Sequence, residues 1–179
     1  MGNFFDVYGP FDIEREAGIV LRSQPTFWEN VREADDGLDK AIGCYMFCLR
    51  HGESITPWYV GMTIAVGGFF VETFTQHKLK VYNDCLDYKR GRPQMFFFPL
   101  MTGNSEDVGS FSQNRSQGAA TIGWLEKTLM GMALQRNEDL WNQRDTTLPR
   151  SVTVRGIMGE ARKGRQYGEV TEARRALFG

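Results

Sequence analysis

Apolar residues fall in short blocks along the 179-residue chain, and the blocks differ in period. Ile42–Leu49 reads IGCYMFCL, a β-rich run of strand length, and WYVGMT repeats that character after the polar stretch RHGESITP. These runs predict a hairpin whose loop is longer than the two-residue minimum. Side chains alternate across a strand, so Tyr45 is expected to share one face with Phe47, and Cys44, Met46 and Cys48 the other.

A glycine-marked connection at 64–68 leads into FFVETFTQHKLKVYNDCLDY, where Phe70, Phe74, Val81 and Cys85 form a helical stripe ended by KRGRP. PQMFFFPL, apolar on both faces, predicts a third strand buried within a sheet. GNSEDVGSFSQNRSQG reads as a long polar loop. TIGWLEKTLMGMALQ predicts a second helix with Ile122, Leu125, Leu129, Met132 and Ala133 turned inward. Upstream, YGPFDI reads as extended chain and FWENVREA as a short helix ending near Asp36-Gly37. Beyond Pro149 the pattern is weak until a terminal helix over Glu169–Leu177. The expected class is α+β: a small three-stranded, antiparallel-type sheet flanked by helices, in the order β-β-α-β-α. That unit spans 42–146, between an acidic N-terminal extension (1–41) and a basic C-terminal one (147–179).

Composition adds mainly exclusions. The hydrophobic share of 41% and charged share of 24% are ordinary for a soluble globular chain. No apolar run approaches ~20 residues, so no membrane span is expected. MGNFFDVYGP lacks a basic region followed by an apolar one, so no secretory signal is expected. Asp6 stands where myristoylation favours Ser or Thr, and the expected location is cytoplasmic. Cys44, Cys48 and Cys85 have neither disulfide nor CxxC spacing and read as buried packing. Net charge is -1, but 1–40 carries nine acids against four bases, and 150–179 seven bases against three acids. A basic tail meeting phosphates, a solvated tail and a tail docked on its own acidic N-terminal part all fit that asymmetry.

The order of elements, with the residues in it, resembles the GIY-YIG nuclease family. Gly43-Cys44-Tyr45 stands at the family's first motif and Tyr59-Val60-Gly61 at its second. His77 lies in the first helix, Glu126 matches the second-helix acid, and Asn142 a common asparagine after it. The resemblance covers most of 42–146 and implies hydrolysis of DNA or RNA phosphodiesters with one divalent metal, Mg²⁺ or Mn²⁺. It implies Glu126 as metal ligand, Tyr45 and Tyr59 as site hydroxyls, and His77 as proton carrier or phosphate contact. The family's helix arginine has no counterpart, since that turn reads Glu72-Thr73-Phe74. Residues 73, 77 and 80 lie near one helical face, which favours Lys80 as the replacement cation over Lys78. Arg115 or a tail arginine is the alternative. Gly61, Lys78, Arg115 and Asn142 complete the expected nucleic-acid contacts.

Without the family, the same residues read differently. Glu126 borders an apolar helix face and reads as a rim carboxylate paired with a lysine. Tyr45 and Tyr59 read as core tyrosines with bonded hydroxyls. His77 reads as a helix-surface imidazole. Two functional classes therefore stand: a metal-dependent endonuclease, and a module of the same fold that binds nucleic acid or a protein without cleaving. A small metabolic enzyme has little support, because neither GxGxxG nor a P-loop occurs and only two histidines are present.

Overall fold

The computed structural model describes residues 2–103, 109–142 and 168–178. Its centre is a long strand, β7 (Arg92–Gly103), in a mixed α+β fold. β5 (Gly43–His51) pairs antiparallel with residues 92–99 of β7 on one side and with the edge strand β6 (Ser54–Thr63) on the other. Past the end of β5, β8 (Ser110–Phe111) takes over the same edge of β7. Leu100 shows this: its N–H donates to Ile42, and its carbonyl accepts from Ser112. The opposite edge carries β2 (Tyr8–Asp12) and then β1 (Gly2–Phe5), both antiparallel.

Strands stand where the three were expected, but among the described residues the sheet has six, so it is not the small three-stranded sheet expected. The added strands come from the segment read as an N-terminal extension and from the polar loop. A separate two-stranded ribbon joins β3 (Arg15–Glu16) to β4 (Ile19–Val20). The first 41 residues also supply α1 (Pro25–Ala34), with Pro at its first turn, and a 3₁₀ turn at Leu38–Lys40.

The hairpin loop differs from expectation. β5 and β6 extend through most of RHGESITP and meet at a two-residue turn, Gly52-Glu53, with His51 opposite Ser54. β-branched Ile55 and Thr56 continue the strand, and Gly52 takes the left-handed conformation (φ 57) that a tight turn asks for. Pro57 is accommodated at a bulge beside Trp58 on the edge strand.

The single helix expected after the hairpin is two. α2 (Gly68–Glu72) stops at Thr73, and α3 (Gln76–Tyr88) begins after Thr75. Thr73 turns its hydroxyl back to the Phe69 carbonyl, while Phe74 drops into the core. The stripe is re-phased by this break: Phe70 is exposed, and Tyr82 takes a fully buried place beside Cys85.

α4 (Arg115–Arg136) starts earlier than expected, inside the polar stretch. Its inward line is Ile122, Met130 and Ala133, with Leu125 and Leu129 half-buried, whereas Met132, expected inside, is 63% exposed. Residues four apart lie on one helical line, so 118, 122, 126 and 130 face the sheet together and 132 points away. A terminal helix, α5 (Gly168–Phe178), matches the expected span within a residue at each end. The 146/147 boundary and the tail residues Arg150, Arg155, Arg162, Lys163 and Arg165 lie outside the described residues.

The sheet has two covered faces. Tyr45, Phe47, Tyr59, Met95 and Phe97 pack under α1, α2 and α3. Ile42, Cys44, Leu100 and Val60 pack under α4. The alternation along β5 therefore splits Tyr45 from Cys44 as read from the sequence.

Candidate active site around two tyrosines

Tyr45 and Gly61 are direct partners in the β5–β6 register, and Phe47 faces Tyr59. Gly61 is needed for packing: a Cβ there would stand 2.6 Å from the Tyr45 hydroxyl and 2.5 Å from Cζ. The phenol thus lies over the backbone of the edge strand. Tyr45 is wholly buried, and its hydroxyl has no hydrogen-bond partner among the described residues. A buried hydroxyl left so is costly, and the cost calls for a reason. Burial pushes the Tyr45 phenol well above its ordinary pKa, with Tyr82, Tyr59, Glu72 and Glu126 adding to the rise in that order. It is therefore a protonated donor at neutral pH.

Tyr59 lies beside it, with ring centroids 6.3 Å apart. Its hydroxyl oxygen accepts a hydrogen bond from Lys78 Nζ at 2.6 Å, and that ammonium is 3.7 Å from Glu72. Lys78, read from its angle as the poorer cation, is the one at the tyrosines. The break at 73–75 is the reason, because an angle carried from residue 73 across it does not apply to α3. Lys80 is 73% exposed and paired with Asp84 one turn on. His77 is exposed at the start of α3 and makes no hydrogen bond or ion pair among the described residues.

Glu126 lies on the sheet-facing line of α4, between buried Ile122 and Met130. Its carboxylate is half-buried there. Its field reaches both faces of β5: after burial it is the next cause raising the Cys44 thiol, and it contributes at Tyr45.

No family model, curated protein or solved structure matches the chain.

The other expected contacts sit elsewhere. Asn142 is buried and clasps Val60, its amide oxygen accepting from the Val60 N–H at 2.9 Å and its nitrogen donating to the Val60 carbonyl at 2.6 Å. Asn137 and Trp141 bond Pro57 and Trp58 beside it, so this segment covers the free edge of β6. Arg115 opens α4; its Nε is buried without a hydrogen-bond partner among the described residues.

Two residues of this neighbourhood were not singled out from the sequence. Glu72 occupies the turn where the family pattern places an arginine, and its significance lies in the pair with Lys78. Tyr82 donates to the Thr73 carbonyl at 3.1 Å and stacks on Phe47 with centroids 4.4 Å apart. Its signal was available: Lys78, Tyr82 and Cys85 follow helical spacing within α3.

Proposed function

We propose that the chain is a GIY-YIG-like endonuclease that hydrolyses nucleic-acid phosphodiester bonds. The observation that carries the reading is the buried Tyr45 hydroxyl, without a hydrogen-bond partner among the described residues, beside the Lys78-bonded Tyr59, with Glu126 on the sheet-facing line of α4. Tyr45 keeps its phenol proton at neutral pH, and burial only raises its pKa further, so the hydroxyl can donate to a phosphoryl oxygen that gains charge. Tyr59 accepts from Lys78 through its oxygen, which leaves its own proton for substrate or the attacking water. Lys78 supplies the cation for a phosphate, as a point charge without arginine's planar fork.

Among the described residues no group of three or more His, Cys, Asp or Glu occurs. Mg²⁺ is commonly held by one or two carboxylates with waters and substrate phosphate, so Glu126 alone would be the holding residue, with Mn²⁺ an equivalent. When bound, such an ion supplies Lewis-acid polarisation of the phosphoryl oxygen. His77 and Lys80, exposed at the start of α3, are assigned to contacts with the nucleic-acid backbone, together with Arg115.

Incubation of plasmid DNA and structured RNA with Mg²⁺ or Mn²⁺ should give cleavage that disappears in Glu126→Ala and falls at least tenfold in Tyr45→Phe. Cleavage that survives both substitutions overturns the assignment.

A second reading is a catalytically degenerate module that binds nucleic acid or a protein partner. It is favoured by the ion pair that places Glu72 on Lys78, since an acid there opposes an incoming phosphate. That reading requires no cleavage with any divalent metal.

A further inference from the structure

Lys78 is a cation withdrawn from water, with its side chain 15% exposed. Such a charge is kept only with compensation. It has two partners of different kinds. The Tyr59 hydroxyl at 2.6 Å is a hydrogen bond, while Glu72 at 3.7 Å is beyond hydrogen-bond length and supplies opposite charge. An ammonium has three donors, so Lys78 keeps capacity for another acceptor.

Glu72 differs from Lys78 in freedom. Its side chain is 31% exposed, so the carboxylate has water available if it leaves. Its backbone is fixed, because Phe69 beneath it is fully buried and takes hydrogen bonds from both the N–H and the hydroxyl of Thr73. Release therefore needs a side-chain rotation and no helix movement. The Glu72 charge also reaches the buried phenols Tyr45 and Tyr82, so it is not spent in solvent.

Resting on the site reading above, we propose that Glu72 is an anion gate: its carboxylate occupies Lys78 in the resting site, and a phosphate must replace it there. One anion is exchanged for another on the same ammonium, so Lys78 is compensated before and after. The ligand class is a phosphodiester or other phosphate-bearing anion.

The test uses the full chain, with Glu72→Gln, Lys78→Met, the double variant, and Glu53→Gln at the exposed hairpin turn as a control for net charge. A short fluorescein-labelled oligonucleotide is titrated in EDTA at several salt concentrations, and inorganic pyrophosphate is titrated by calorimetry. E72Q should bind the oligonucleotide roughly three- to tenfold more tightly than wild type, with a salt slope steeper by about one. The gain should vanish in E72Q/K78M and be absent in E53Q. No gain in E72Q, or a gain kept in the double variant, overturns the gate. A Lys78-dependent gain for pyrophosphate, with no variant binding the oligonucleotide, upholds the gate and overturns the nucleic-acid reading instead.

Discussion

The two faces of the sheet are built from different materials. Under α1–α3 the buried side chains are mostly rings: Phe97 stacks on Phe69 with centroids 4.4 Å apart and also meets Phe11, Phe27 and Trp28. Under α4 the buried members are aliphatic or small, among them Ile42, Cys44, Val60, Leu100, Ile122 and Ala133. Rings bring phenol hydroxyls into the interior, and a ring face tolerates a polar edge where an aliphatic face does not. The hydroxyls and Lys78 thus come from the aromatic side, and the single α4 carboxylate from the aliphatic side. Edge strand β6 lies between them, and Gly61 is its thinnest point.

If the faces differ as packed, emptying them should cost different amounts. Phe97→Ala removes a ring that meets Phe11, Phe27, Trp28 and Phe69, and should cost about 3–5 kcal/mol. Ile122→Ala should cost about 2–4 kcal/mol, toward the lower end, because one helix can settle onto the sheet. Urea midpoints at unchanged m-value measure both. An Ile122 cost equal to or above that of Phe97 breaks the contrast.

At the boundary between the faces, Gly61→Ala should cost about 1–3 kcal/mol, since the new methyl meets Tyr45 Cζ and its hydroxyl and the ring is enclosed. The effect belongs to that contact if Tyr45→Ala removes most of it in a double-mutant cycle. Additive costs would place the strain elsewhere.

How much of this was legible depends on range. The hairpin, the third strand and the α4 helix follow from periods within the chain, and the split of Tyr45 from Cys44 follows from alternation alone. Pairing of β1 and β2 with β7 joins residues far apart in the chain, such as Asn3 with Thr102 and Asp12 with Gln94, and leaves no local trace. The break at Thr73–Thr75 has neither glycine nor proline; it comes from Phe74 entering the core and Thr73 bonding Phe69. That unseen break puts Lys78, and not Lys80, beside Tyr59. The Met132 misplacement is a different failure. In α4 apolar residues occur all round the helix, with Trp124 exposed on the outside, so composition does not define the buried line.

The smallest expected effect is also the most discriminating. Tyr45→Phe keeps the ring and its contacts with Tyr59 and Phe69, and removes a hydroxyl that has no hydrogen-bond partner among the described residues. Removing a satisfied buried hydroxyl costs about 1 kcal/mol, whereas removing an unsatisfied one relieves its desolvation. Stability should therefore stay level or rise by up to about 1 kcal/mol, read from urea midpoints. Tyr82→Phe is the internal comparison, because its hydroxyl donates to the Thr73 carbonyl, and it should lose about 1 kcal/mol. A hydroxyl kept at position 45 against stability is what a functional group looks like. If Y45F loses as much as Y82F, the Tyr45 hydroxyl has a structural partner, and the case for its chemistry weakens accordingly.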